Sequence, residues 1–295
     1  MTRVANISLS RNVLLSNQRN LADTARLQQQ LASGKRIQNM SDDPISGRRA
    51  LIFRVQHFEL GRYQENIAKT LSFQQSTDTV FSRMTEIADE AKSLALRGVN
   101  ASEDAQSRAV LARSMDGLLD RMMDLGNTVH DGRYIFSGAA VLTQPFVRDA
   151  DGAVRYQGDL DDFEVSISQT TRVAVNLNGH ALFKQEVDVF AAISRIREAL
   201  DDNDPQRVEE LLDDLDALQR HLSGKQGELG SRIQRVELTR SQIDFALVNI
   251  SELLSIEEDV DLAETISKLQ VAETTLEAGL NAGARVLRPT LLDFL

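Results

Sequence analysis

The chain has 295 residues and not one cysteine. Disulfide bridges and thiolate metal sites are therefore excluded, while life outside the cytoplasm without oxidative folding is permitted. Aromatic residues make up 5% of the sequence, and none precedes Phe53. The first fifty residues thus lack the side chains that bury the most apolar area. No run approaches the length of a membrane span. The first twenty residues lack an apolar signal-peptide core, Arg11 interrupting the best candidate, so any export is expected to bypass a cleaved N-terminal signal. A basic excess is also missing. The net charge of −11 argues against nucleic acid as a partner, because a phosphate backbone attracts a basic surface.

Chemistry-bearing constellations are equally scarce. His57, His130, His180 and His221 are scattered without metal-ligand spacing. Gly34-Lys35 and Gly224-Lys225 resemble the end of a phosphate loop. However, Gln29 and Gln219 occupy the position of the earlier glycine, and Arg36 and Gln226 that of the hydroxyl residue. Asp149-Ala150-Asp151-Gly152 is a calcium-loop fragment whose glycine comes too early, and it reads as a turn. The acids Glu257, Glu258, Asp259 and Asp261 read as a charged joint between helices. No catalytic residue, metal, cofactor or membrane contact is expected.

What the chain does carry is charge segregated at its ends. Residues 1–40 hold six basic residues (Arg3, Arg11, Arg19, Arg26, Lys35, Arg36) against Asp23 alone, a net +5; residues 255–295 are net −5. Both arms have helical spacing, and opposite charges on two amphipathic ends favour bringing those ends together. Spacings of four and three recur through the chain. They appear at Val80, Met84, Ile87, Ala91 and Leu94, at Leu111 to Val129, at Ile233 to Leu254, and at Leu262 to Leu287. Such repeats mark helices packed nearly parallel, as in coiled coils and bundles. Gly34 is placed to end the first helix, and Asp43-Pro44 to open a second running to about Arg97 before Gly98. Ser102 is placed to cap a third helix, and Asp204-Pro205 opens another. Gly224, Gly227 and Gly230 predict a weakened or kinked helix. The methionines at 84, 115, 122 and 123 fall mostly on apolar stripes and read as core filling.

Residues 133–186 differ. They hold Tyr134, Phe136, Phe146, Tyr156, Phe163 and Phe183, with alternating strands at Phe163–Ile167 and Val173–Leu177 and a hairpin dipeptide at Asp151-Gly152. The expected fold is mainly α with a small antiparallel β insertion, nested from both ends. Terminal helical arms occupy 1–43 and 256–295, a helical rod 44–132 and 187–255, and a β-rich outer domain 133–186. The interface between arms and between subunits is assigned to Ile7, Leu14, Leu21, Leu31, Leu262, Ile266, Leu269, Leu276, Leu280 and Leu287. The arms offer little to bury alone, so they are expected to order on pairing with each other and with neighbouring copies.

Particular segments now resemble a known family. Asn20-Leu21, Leu31-Ala-Ser-Gly-Lys-Arg-Ile37 and Ser41-Asp-Asp-Pro44 resemble the N-terminal signature of bacterial flagellins. Asp261-Leu-Ala-Glu-Thr-Ile-Ser-Lys-Leu269 and Leu291-Leu-Asp-Phe-Leu295 are similar to the C-terminal one. Asp43-Pro44, Asp131-Gly-Arg-Tyr-Ile-Phe-Ser-Gly138 and the Leu-Asp-Phe-Leu ending resemble hook–filament junction members more than filament members. The resemblance marks Gly34, Asp42, Asp43 and Pro44 as the family's turn. It implies export through the flagellar secretion apparatus with a chaperone, and a ring of copies between hook and filament. The implied partners are this chain itself, the other junction protein and flagellin. A filament-forming flagellin with a small outer domain and a secreted coiled-coil translocator are the alternative readings.

Overall fold

Carboxylates at helix starts set the boundaries of the structure, a computed structural model. It describes residues 2–100, 103–149 and 152–286, with side chains from 11 to 285. Helix α1 (Thr2–Ser33) ends at Gly34, whose φ of +69° is the left-handed conformation that a helix C-terminus favours. Helix α2 (Pro44–Val99) begins where Asp43 Oδ1 accepts the Ile45 and Ser46 amides at 3.2 and 3.1 Å, with Pro44 in the first helical position. It continues through Gly98, two residues beyond the expected stop. A side chain there would strike Leu200, so Gly98 serves close packing rather than termination. Helix α3 (Ala105–Gly126) is capped by Asp104, which accepts the Ser107 amide at 2.7 Å. Ser102 lies outside the described residues.

Buried Arg108 closes the other end of α2. Its guanidinium donates to the carbonyls of Gly98 (2.9 Å) and Asn100 (3.2 Å) and to Asn203 Oδ1 (2.7 Å). A cation thus meets carbonyls that a helix terminus leaves unpaired.

Next come three separate antiparallel ribbons where the sequence suggested one small domain: β1 (Val129–His130) with β2 (Arg133–Tyr134), β3 (Phe146–Arg148) with β4 (Val154–Tyr156), and β5 (Glu164–Ser166) with β6 (Arg172–Ala174). Their registers pair Val129 with Tyr134, Phe146 with Tyr156 and Val165 with Val173. Asp131 and Gly132 take φ values of 49° and 74°, as a two-residue type I′ turn requires. Val129 therefore leaves the α3 stripe for a strand. In the second hairpin Gly152 has φ +84°; Asp151 lies outside the described residues. A π-helical turn follows at Ala181–Gln185, then α4 (Val189–Asp201), α5 (Pro205–Glu210), α6 (Leu212–Glu258) and α7 (Leu262–Val286). Asp188, Asp204 and Asp261 cap α4, α5 and α7. Helix α6 is unbroken across Gly224, Gly227 and Gly230, which have open space beside them.

Two compact units result: residues 1–59 with 246–295, and residues 60–245. The division falls within α2 and α6. In the larger unit one hydrophobic core unites the helices and the ribbons. Met84 from α2, Met115 and Met122 from α3, Ile193 and Ile196 from α4, and Leu218 and Leu222 from α6 are fully buried. The insert adds Phe136, Phe146 and Phe183, also buried. Phe146 lies 4.6 Å from Phe183 edge to face, and Phe183 stacks on Phe190 of α4 at 5.2 Å. Phe136 meets Phe81 of α2 edge to face at 6.2 Å. These offset and edge-on geometries are the favourable ones for aromatic pairs.

A candidate assembly site at the joined chain ends

The smaller unit brings the two ends of the sequence together. Helices α1 and α7 pack antiparallel: Asn17 Nδ2 donates to the Gly279 carbonyl at 3.2 Å, and Val13 lies against Gly283. The α1 seam reads Val13, Asn17, Asn20, Thr24, Leu27 and Leu31; the α7 seam reads Thr265, Leu269, Ala272, Leu276, Gly279 and Gly283. Every one of these is buried or half-buried, and the steps alternate four and three. A methyl group added at Gly279 would overlap the Asn17 amide. The absence of a side chain there is what lets the two backbones approach.

The turn after α1 is tied to the joint before α7. Lys35 and Asp259 form an isolated antiparallel bridge, with Arg36 N donating to Glu258 O (2.6 Å) and Val260 N to Gly34 O (3.1 Å). Lys35 Nζ reaches Asp259 at 2.6 Å and Glu258 at 3.4 Å. Arg36 spans the Glu257 carbonyl (2.8 Å) and Asp43 (3.2 Å). Two arginines of α2 complete the clasp: Arg49 on Glu257 at 3.0 Å, and Arg54 Nε on Glu258 Oε1 at 2.6 Å. The latter is a close ion pair rather than an aligned hydrogen bond. Glu258 is nearly inaccessible, so losing its partners would strand a desolvated charge.

These contacts shift the acidities around the turn. The Ser46 amide and hydroxyl, with help from Arg36, hold Asp43 at about 2. Asp42 is lowered by the Asn39 and Gln38 amides, which it accepts at 2.9 and 3.1 Å. Asp259 is lowered first by its bond to Lys35 and then by Ser255; Lys35 is raised by the same bond.

The structure divides the residues expected at the interface. Leu31, Leu269 and Leu276 share the seam register and are half-buried. Leu14, Leu21, Leu262, Ile266 and Leu280 are exposed, Leu21 by 59% and Leu280 by 56%. At about 100° per residue they stand roughly 60–100° round from their own helix's seam, in the same sense. For an antiparallel pair that sense leads to one and the same side, so the five form a single apolar ledge. The Ile7 side chain and Leu287 lie outside the described residues. Gly34 closes α1, while Asp42, Asp43 and Pro44 lie at the far end of the turn, where α2 begins. Among the described residues, the ion pairs linking the two ends gather at the joint and none joins α1 to α7. Apolar periodicity alone missed Asn17, Asn20 and Thr24, because they are polar members of an otherwise regular 3.5-residue row. It also missed Arg49 and Arg54, whose partners are 208 and 204 positions away.

Both helical ends of the sequence match known family profiles. The profile of the bacterial flagellin N-terminal helical region matches residues 4–140, and that of the C-terminal helical region matches residues 212–295. The chain belongs to the flagellin family. The Escherichia coli K12 protein named flagellar hook-associated protein 3 is 25% identical over 289 residues, covering 88% of this chain and 89% of that one. A flagellar hook-associated protein from Vibrio parahaemolyticus superposes with a TM-score of 0.68 at 19% identity, over 74% of this chain and 99% of the other. The Legionella pneumophila flagellar hook-associated protein-3 gives 0.64 at 16%, over 69% and 97%. As a flagellin-family protein the chain is structural and non-enzymatic, and its place is the flagellum. Among the described residues no helix is long and apolar enough to cross a membrane.

Proposed function

We propose that the chain is the adaptor joining the flagellar hook, through its associated junction protein, to the flagellin filament. One observation carries the reading: in a flagellin-family chain similar to proteins named hook-associated protein 3, α1 and α7 pair and leave one apolar ledge uncovered. An exposed apolar patch of this kind suits contact with further protein. In this reading the arms order as copies join, so that export of a loosely folded chain precedes locking at the tip. A chaperone and the flagellar secretion apparatus deliver it.

Electron microscopy of cells lacking the gene tests the adaptor role. Hooks without filaments, and flagellin shed into the medium, are expected. Normal filaments on such cells would overturn it. Purified chain that polymerises alone into long filaments would instead mark a filament-forming flagellin. Coupled folding is tested separately by mild proteolysis of the dilute protein. A surviving core near residues 45–255 is expected, and termini as resistant as the core would count against the idea.

A further inference from the structure

Asn178 is the one asparagine of the chain that a glycine follows. In an open chain such a pair is labile. With no side chain on the second residue, its amide nitrogen swings readily onto the side-chain carbonyl carbon of the asparagine. The fold demands both residues. Asn178 pairs with Ser137 in an isolated bridge. Its Oδ1 accepts the His180 amide at 2.8 Å and the Ala181 amide at 3.4 Å, and its main-chain carbonyl accepts the Leu182 amide at 3.1 Å. It thus caps the π-helical turn that carries Phe183, while its Nδ2 donates to the Leu160 carbonyl. Gly179 is buried, and a side chain there would strike the Phe136 carbonyl and the Tyr156 ring. Two separate requirements of one turn place a reactive dipeptide in the core.

The same contacts silence it. Ring closure brings the Gly179 nitrogen, stripped of its proton, onto Cγ of Asn178 and expels Nδ2. In the folded chain the Gly179 N–H donates to the Phe136 carbonyl at 3.1 Å. Both ends of the Asn178 amide are held by the bonds above, so nucleophile and electrophile do not turn toward each other.

We propose that Asn178-Gly179 is a self-modification site that the seated insert holds inert and that an unseated chain converts irreversibly. The Gly179 N–Cγ bond forms, the Cγ–Nδ2 bond breaks, and the amide leaves as ammonia with the Gly179 proton. Water then opens the succinimide. Attack at Cγ gives aspartate; attack at the main-chain carbonyl gives isoaspartate, with the chain running through Cγ. No oxidant or reductant takes part. Neither product fits the native turn. Aspartate sets a second acceptor against the Leu160 carbonyl, where the amide donated. Isoaspartate adds a carbon to the main chain beside Gly179, where not even a Cβ has room. A chain left unseated therefore loses the ability to complete its core. The site belongs to the larger unit alone and does not depend on the adaptor role.

The full-length chain tests this. It is aged for equal times in mildly alkaline native buffer and in the same buffer with guanidinium chloride, then digested with trypsin. Cleavage after Arg172 and Lys184 releases one peptide holding both Asn178 and Asn176. Asn176, followed by leucine, is the slow internal reference. Tandem mass spectrometry locates the amide-to-acid mass gain, and methyl transfer by an isoaspartyl methyltransferase counts the isoaspartyl form. Asn178 should convert at least about tenfold faster in denaturant than in native buffer, with Asn176 lagging behind it in denaturant. Equal rates in the two buffers, or conversion of Asn176 as fast as Asn178, overturns the protected site. A partly converted sample is then returned to native buffer and treated with mild protease. The resistant core should be depleted of converted Asn178 relative to the sample before digestion. An unchanged proportion overturns the loss of folding competence.

Discussion

Asn17 and Gly279 stand 262 positions apart in the sequence and share a hydrogen bond of 3.2 Å. The contact fixes the register of the two chain ends. A polar seam residue satisfied only in one alignment specifies that alignment more sharply than a row of leucines.

Replacing Gly279 by valine should therefore separate the arms. Overpacking a close contact costs about 1–3 kcal/mol, and the effect should stay in the smaller unit. In protein concentrated until the arms are ordered, hydrogen exchange followed by mass spectrometry should show faster exchange in α1 and α7 and unchanged protection in α3 and α4. Unchanged exchange in the arms would show that the seam tolerates a side chain there.

Arg108→Ala removes the guanidinium that binds the end of α2. Hydrogen bonds to a charged group contribute about 1.5–3 kcal/mol, and a unit of this size shifts by about 2–4 °C per kcal/mol. The main thermal transition should fall by about 3–12 °C, measured by circular dichroism. Arg108→Lys should recover only part of the loss, since an ammonium cannot reach both carbonyls and Asn203 with a planar fork.

Phe183→Ala should cost about 3–5 kcal/mol, as for other buried aromatics. Because Phe183 touches Phe136, Phe146 and Phe190, the helical signal and the tyrosine near-ultraviolet signal should shift together to a lower midpoint. Separate transitions would mean that the ribbons melt independently of the helices.

Acid should loosen the turn. Asp43 and Asp259 are lowered in the folded chain, so their contribution is complete above the ordinary carboxylate range. It is lost as pH falls through their folded values, which for Asp43 means between about 4 and about 2. Lys35 is raised, so its contribution fades only at strongly alkaline pH. In protein concentrated until the arms are ordered, arm helicity should be constant from pH 5 to 9 and drop on acidification. Asp43→Asn should flatten the part of that drop due to the cap; an identical acid profile for variant and wild type would refute the assignment.

Helix starts were legible because an Asp before a Pro, or three residues before an amide it can accept, is a local device; Asp43 and Asp204 needed no tertiary information. Core stripes such as Met84–Ile87–Ala91 and Leu111–Met115–Leu118 were legible because burial follows the 3.5-residue spacing. Gly98 was misread because packing against Leu200 and termination demand the same small residue. The division of the insert into three ribbons was hidden because short strands are set by their neighbours rather than by their own alternation. The polar seam was hidden because the hydrogen bond that makes Asn17 suitable requires Gly279, which no local window contains.

The aromatic rivets also dictate when the larger unit is able to fold. Its core draws on Phe73 near one limit and Leu229 near the other, with Phe136, Phe146 and Phe183 filling the middle. A polypeptide emerging from its N-terminus therefore holds α2 and α3 as unroofed helices until some two-thirds of its length has appeared, and then closes the whole core within the next few dozen residues. A deletion in the ribbons would not merely trim an outer ornament; it would remove the keystone on which that late closure depends.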